Sequence, residues 1–478
     1  MELALNLDPR ARKPLYRQVA DEIRHAILAG RLRSGTRLPP SRTLATALGV
    51  SRVVVTSAYE ELVAEGYLEA RRGSGTYVAQ DLPAVSSLAP SPAHSVNRAL
   101  AASGHPEVPV IDFAPGRPAV ERLHPAAWRR MWRAVARQLP PPGYGDPAGD
   151  PELRASLADY LGRARGVGCT AEDVLITSGT VEALDLLARA VLRPGDRVAF
   201  EEPGYPAARR ALLARGLLLE PVPVDEDGLC TDRLPNRAAL VYVTPSHQYP
   251  LGGRLPIGRR VALLKWAEAA GALVIEDDYD SEFRFDGPPL PALAGLDGLR
   301  RVVYLGTFSK VLLPGLRVGY LVAPRELRDR ILAMKDPSEV HTPWPVQRAL
   351  AALVASGDFE RHIRRMRRHY GELRAELRRA LSPVEPLARL RGLEAGLHAF
   401  LELSPGLNPA RVAEAAAARG VLVRTLEPYF LGVPTRSGVL LGYGGLSPED
   451  VQRGARILAE VIQEQGGVLC TLRSVSFR

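Results

Sequence analysis

The sequence predicts an α/β domain with a mainly parallel sheet, preceded by a small winged helix-turn-helix domain. Three observations predict this. Over residues 110–466 short β-rich runs alternate with helical patterns: VLITSG, RVAFEEP, AALVYVTPS, ALVIEDD and RVVYLGTFSK. Residues 1–78 instead hold helical stretches separated by short breaks, then two short strands around a Gly-rich turn. Between them, residues 79–109 are rich in Ala, Ser and Pro and read as a semi-extended linker, with an r.m.s. reach on the order of 30 Å. Residues 467–478, GVLCTLRSVSFR, follow no pattern and are read as a tail.

The chain has 478 residues, enough for two or three domains, and its 46% hydrophobic and 24% charged content is an ordinary globular balance. No apolar run approaches the ~18 residues of a membrane helix. The N-terminus, MELALNLDPRARKPLYR, lacks a basic-then-apolar signal layout, so a cytoplasmic protein without a membrane partner is expected. Cys169, Cys230 and Cys470 form no C-x-x-C pair; they imply neither a disulfide framework nor a zinc site, and no metal is expected. Residues 1–78 carry 12 Lys/Arg against 8 Asp/Glu, whereas the other 400 carry 50 against 45. Positive charge is therefore densest at the N-terminus, which points to a polyanion partner there.

In PLYRQVADEIRHAILAG, Leu15, Val19, Ile23 and Ile27 stand four apart, the pattern of an amphipathic helix, and Gly30 stops it. SRTLATALGV gives a short helix opened by Ser41 and ended by Gly49. SRVVVTSAYEELVAEG follows, with Ser51 as N-cap and Val55, Tyr59 and Leu62 on one face. The second of these two short helices would enter a major groove. YLEARRGSGTYV then forms a wing, with Arg71 and Arg72 near its tip. The string LPPSRTLATALGVSRVVVTSAYEELVAEGYLEARRGSGTYV resembles the winged helix of the GntR regulators. That resemblance implies a double-stranded DNA operator as partner. It places Arg42, Ser51 and Arg52 in the DNA-binding surface, and Arg72 and Gly73 of the wing against the backbone or minor groove. Val53 and Val54 stand where such regulators often carry polar residues, which shifts base contact towards thymine methyls.

Lysine occurs only four times, at Lys13, Lys265, Lys310 and Lys335, in a chain that otherwise uses arginine. Guanidinium cannot replace an amine nucleophile, so a lysine within the apolar stretch YLGTFSKVLLPGLRVGY asks for a chemical reason. Partial desolvation lowers a lysine pKa and frees the amine to attack a carbonyl. Pyridoxal phosphate (PLP) is the main cofactor that uses such a lysine; it also needs a phosphate cradle, an acid at the pyridinium nitrogen and a planar neighbour. Ser178, Gly179 and Thr180 lie where a strand turns into a helix N-terminus, suited to an anion. ALVIEDDYD offers Asp277 or Asp278 for the pyridinium and Tyr279 for the ring hydroxyl. EEPGYP offers Tyr205 for stacking, and Ser309 and Arg317 flank the lysine. These features fall at the C-terminal ends of strands, where open α/β sheets bind ligands.

Residues 110–465 resemble the fold-type I aminotransferases, and joined to a winged helix they match the MocR-type subfamily of the GntR regulators. The resemblance makes Lys310 the aldimine lysine, Asp277 the pyridinium partner, Tyr279 the ring-hydroxyl contact and Tyr205 the stacking residue. Ser178, Gly179, Thr180, Ser309 and Arg317 are assigned to the phosphate. Tyr144 matches a tyrosine that reaches the partner subunit's phosphate, so a homodimer is expected. The sequence departs from the aminotransferase pattern in PSHQYPLGG, where Tyr249 replaces the usual asparagine and His247 or Gln248 is left as substitute. Arg436 and Arg209 are the two candidates for a ligand carboxylate. Three functions follow: a regulator sensing an amino compound or PLP itself through Lys310, an active aminotransferase carrying a DNA-binding domain, or a dimerising scaffold without cofactor. The first is favoured by the winged helix and the long linker. The basic run RHIRRMRRHYGELRAELRR is expected to be a solvated helix face.

Overall fold

The computed structural model describes residue 5 and residues 7–8, 13–71, 74–80, 110–287, 290–335, 342–385 and 387–475, the side chains only to 467. The linker beyond residue 80, and Arg72 and Gly73 of the wing, lie outside these residues. The chain divides into two compact units, Met1–His105 and Pro106–Arg478. No described helix is long and apolar enough to cross a membrane.

In the first unit α1 (Leu15–Leu28), α2 (Ser41–Leu48) and α3 (Arg52–Ala64) precede β1 (Leu68–Arg71) and β2 (Gly75–Val78). Gly49 ends α2 in the left-handed region, at φ 65°, where a side chain would be strained. Val19, Ile23, Val55, Tyr59 and Leu62 close the core between α1 and α3. β1 and β2 pair antiparallel, with Arg71 opposite Gly75. Ser51 occupies the N-cap of α3 with extended backbone, yet its side chain makes no capping hydrogen bond, so the expected cap is positional only.

The second unit is built on one sheet. Its strands, with the short outlying β3 (Ile111–Asp112), are β4 (Val174–Thr177), β5 (Arg197–Glu202), β6 (Leu218–Asp225), β7 (Gly228–Leu229), β8 (Leu240–Val243), β9 (Leu273–Asp278), β10 (Val302–Thr307) and β11 (Gly319–Val322). Their spatial order is β4-β11-β10-β9-β8-β5-β6-β7. The run from β10 to β6 is parallel, while β11 enters antiparallel between β10 and β4. Successive strand residues fall alternately into two clusters. Val241, Val274, Val302 and Tyr320 face one side; Tyr242, Ile275, Val303 and Leu321 face the other. Both faces are buried, which explains the near-continuous apolar runs in the sequence. A four-stranded antiparallel sheet follows, formed by β12 (Ala388–Arg391), β13 (His398–Leu403), β16 (Gly438–Gly442) and β15 (Arg424–Thr425), while β14 (Val421–Leu422) pairs with β3.

Two expectations resolve here. Residues 467–475, expected to belong to a tail, continue the last helix, Pro448–Val475. Within that helix Gly466 lies against Leu387, where a Cβ would come within 2.7 Å. The basic run does form a helix, Asp358–Leu381, with Ile363, Met366, Leu373 and Leu377 buried. Arg361, Arg364, Arg368, Arg378 and Arg379 are exposed, and Arg361 pairs with Asp358 and Arg379 with Glu376.

Candidate functional site

The C-terminal ends of β9 and β10 open into a cavity of about 280 Å³. Most of the chemistry-bearing residues read from the sequence line it: Gly179, Thr180, Tyr205, Asp277, Tyr279, Ser309, Lys310 and Arg317. Strand β8 adds Tyr242, whose hydroxyl donates to Asp277 Oδ2 at 2.5 Å.

Lys310 sits in the turn after β10 and donates from Nζ to the Gly116 carbonyl at 3.2 Å. Gly116 has φ 82°, where a side chain would be strained, and a Cβ there would lie 2.8 Å from that nitrogen. Burial lowers the lysine pKa, against the opposing pull of Asp280 and Asp277, while Arg317 lowers it further. The amine is thereby moved towards its nucleophilic form.

Asp277 is 4% exposed. Its Oδ1 is buried with no hydrogen-bond partner among the described residues. Burial raises its pKa to about 7, with Asp278 adding to the rise and the Tyr242 hydroxyl and Lys310 opposing it. The sign of the consequence is definite. The folded carboxyl holds its proton more tightly than an unfolded one, so its stabilising contribution is present at low pH and lost as pH rises towards 7. Asp277→Asn should therefore gain on the wild-type apoprotein between about pH 5 and 8, by up to a few kcal/mol. Parallel melting curves at those two pH values check it.

At the opposite end, α6 (Thr180–Val191) begins beside Arg317. Gly179 has φ 126°, and a Cβ on it would come within 3.3 Å of the Arg317 guanidinium. Gly319 of β11 packs on the same turn, a Cβ there falling 2.8 Å from Gly179 Cα. Backbone amides, the Thr180 and Ser309 hydroxyls and a guanidinium thus converge on one end of the cavity. Ser178 does not line the cavity, and its N–H is taken by the Glu182 carboxylate.

Other expectations are corrected. Arg436 lies 3.7 Å from Glu402 and lines a separate cavity with Arg254, Arg389 and Arg391. Arg209 donates to the Phe430 and Pro428 carbonyls at 2.6 and 2.8 Å. Neither arginine lines the Lys310 cavity. Gln248 is turned away, its amide donating to Pro203 O and Tyr249 O, both at 2.9 Å. His247 lies behind Tyr279, whose hydroxyl donates to the His247 carbonyl at 2.9 Å. Tyr144 is 81% exposed and does not line the cavity of its own chain. Sequence reading passed over Gly116, Asp280 and His398. Asp280 adjoins the EDDY run and was within reach; Gly116 and His398 are brought in only by the fold.

In the N-terminal unit Arg42, Ser51 and Arg52 are all exposed. Arg52 Nε donates to Ser41 Oγ at 3.3 Å, which ties the start of α3 to the start of α2. Val53 is 72% exposed, an apolar side chain presented at the N-terminus of the recognition helix.

The residues fit PLP: an orphaned acceptor for a ring N–H, a desolvated amine, and a donor cradle for a phosphate. Comparison with known proteins agrees. Residues 109–457 match "Aminotransferase class I and II", and residues 15–78 match "Bacterial regulatory proteins, gntR family". The chain is 38% identical to the probable rhizopine catabolism regulatory protein MocR of Rhizobium meliloti, over 97% of each chain. It is also 38% identical to the pyridoxine biosynthesis transcriptional regulator PdxR of Corynebacterium glutamicum, over 96% of this chain and 98% of that one. Among solved structures it is similar to LysN, an α-aminoadipate aminotransferase of Thermus thermophilus complexed with a phosphopyridoxyl-leucine adduct. That match has TM-score 0.68 and 32% identity, and covers 75% of this chain and 93% of that one.

Proposed function

The chain belongs to the MocR-type branch of the GntR transcriptional regulators, and on that premise we propose that it binds PLP at Lys310 and uses the cavity as a sensor governing DNA binding. The observation that carries this reading is the pairing, in one cavity, of the desolvated Lys310 amine with the orphaned Asp277 Oδ1. PLP supplies an aldehyde for the amine, an electron-withdrawing pyridine ring and a dianionic phosphate. Asp277 accepts the ring N–H, with Tyr242 fixing the carboxylate from behind. Arg317, Ser309, Thr180 and the first amides of the helix Thr180–Val191 would hold the phosphate, and Tyr205 and Tyr279, which line the same cavity, would meet the ring and its hydroxyl. An amino compound, or PLP itself, is the signal, and two subunits present two winged helices to an operator.

Catalytic turnover with ordinary amino acids fits less well. Among the described residues lining the cavity, Arg317 is the one guanidinium, and it belongs to the phosphate end. Nothing else in that lining matches the planar fork that grips a carboxylate.

On the DNA side, Arg52→Ala should lose sequence selection, with operator affinity falling about tenfold to a hundredfold and non-specific binding changing little. Anisotropy titrations against a selected duplex and a scrambled one check this; undiminished preference for the selected duplex would remove Arg52 from the readout.

A further inference from the structure

Beside the residues at the helix start and Arg317, the cavity lining includes Tyr249, Asp280, Leu397 and His398. It offers acceptors. Asp280 is 2% exposed, and its Oδ1 is buried without a partner among the described residues. Its Oδ2 lies 3.0 Å from His247 Nδ1, and His247 Nε2 lies 3.2 Å from the Gly392 carbonyl. The Tyr279 hydroxyl, which donates to the His247 carbonyl, lies 3.0 Å from the same Nδ1, so Asp280, Tyr279 and Gly392 all face the imidazole. With the tyrosine hydrogen committed to that carbonyl, acceptors face both ring nitrogens. Burial works against the charged ring, but the Asp280 carboxylate and the Gly392 carbonyl outweigh it, and the His247 pKa is raised.

Asp280 is thus held from behind by His247; burial raises its own pKa and His247 pulls it back down, and one oxygen is left over. His398 completes the wall. Its Nε2 faces the Pro250 carbonyl at 3.2 Å, so Nε2 carries the hydrogen and Nδ1 is an acceptor. Its ring lies 4.8 Å from that of His247, and burial together with that neighbouring charge keeps it neutral. Where an amino-acid site needs donors for a carboxylate, this wall has a carboxylate and an imidazole lone pair.

We propose that Asp280, pinned by His247, recognises the second ligand of this cavity. That ligand is a primary amine carrying a further ammonium or hydroxyl donor and no carboxylate next to the amine, such as a diamine or an amino alcohol. The inference rests on the PLP reading of the Lys310 site. The incoming amine forms its C–N bond as the bond to Lys310 breaks, and its two amine hydrogens pass to Nζ, so the lysine leaves as a free amine. The second donor of the ligand lies on Asp280 Oδ1, a charge-assisted contact.

The test titrates 1,3-diaminopropane, ethanolamine, propylamine and alanine into the PLP-loaded full-length protein, following the visible absorbance band. Wild type should bind the diamine and the amino alcohol about tenfold or more tightly than propylamine or alanine, the worth of one charge-assisted hydrogen bond. Asp280→Asn, isosteric and able to keep the fold, should bring the diamine to the level of propylamine, so that the ratio of the two affinities falls to about one. His247→Gln, which unpins the carboxylate, should reduce the same preference by a smaller factor. Alanine binding as tightly as the diamine would overturn the proposal. So would an equal weakening of all four ligands by Asp280→Asn, since Asp280 would then merely receive the released lysine. A wild-type protein that forms no band with PLP would sink the cofactor reading itself, and the proposal with it; a normal band with flat amine selectivity sinks the proposal alone.

Discussion

Lys310→Ala abolishes covalent retention of PLP. After borohydride treatment and denaturation, wild type should carry a pyridoxyl group on the peptide containing Lys310, and the variant should carry none. The reason is chemical and local. Lys310 is the one lysine lining the cavity among the described residues, and its Nζ is held at the Gly116 carbonyl facing Asp277 and Asp280. Of the other three lysines, Lys335 is buried against the Ile176 carbonyl, Lys13 pairs with Asp21 in the N-terminal unit, and Lys265 lies on the helix Ile257–Ala270. None lines the site. The variant should keep its winged-helix unit and its non-specific affinity for DNA, because that unit closes its own core. A retained adduct in the variant would mean another nucleophile holds the cofactor.

Arg165→Met should destabilise the protein by about 3–5 kcal/mol, the cost of leaving a buried charge without its partner. Arg165 Nε donates to Asp278 Oδ2 at 2.7 Å, with both side chains about 2% exposed or less. The same oxygen takes the Tyr304 and Ser281 hydroxyls at 2.6 and 2.9 Å. The Arg165 guanidinium also ties Leu290 O and Ser246 Oγ into the assembly. Asp278 adjoins Asp277, so the lost ion pair should loosen the end of β9 and weaken PLP binding as well. Asp278→Asn combined with Arg165→Met removes both charges and should recover part of the loss. Urea unfolding of the three variants measures it; a single variant as stable as wild type would show that the pair contributes nothing net.

Much of this was legible in the sequence, for identifiable reasons. A strand buried on both faces reads as a continuous apolar run, so β4, β5, β8, β9 and β10 stood out. β11 did not. Its GYLV is too short to announce itself, and its antiparallel insertion between β10 and β4 is a fact of topology. β6 was hidden by Pro221 and Pro223, which break the β pattern. In the site, Lys310, Asp277 and Tyr279 were found because each residue type has few substitutes for its task. The carboxylate arginine was misplaced because spacing cannot say which cavity a strand end faces. Arg436 precedes β16 but lies towards Glu402 and Arg391, not towards the lysine. Asp280 was overlooked because it lies past the strand end, beyond Tyr279, and only the fold shows that it is buried. The end of the last helix was not seen because GVLCTLRSV shows no clear apolar period, although the helix runs on to Val475.

The central claim is that the occupant of the Lys310 cavity governs DNA binding. The most direct measurement is the affinity for a duplex selected from a random library by the wild-type protein, measured for apoprotein, PLP-loaded protein and PLP-loaded protein with an added amine. The account predicts that affinity changes about fivefold or more between at least two of these states, the usual range of coupling between sites. It also predicts that Lys310→Ala shows no such change. Equal affinity in all three wild-type states, with the visible band proving PLP and amine bound, would contradict it.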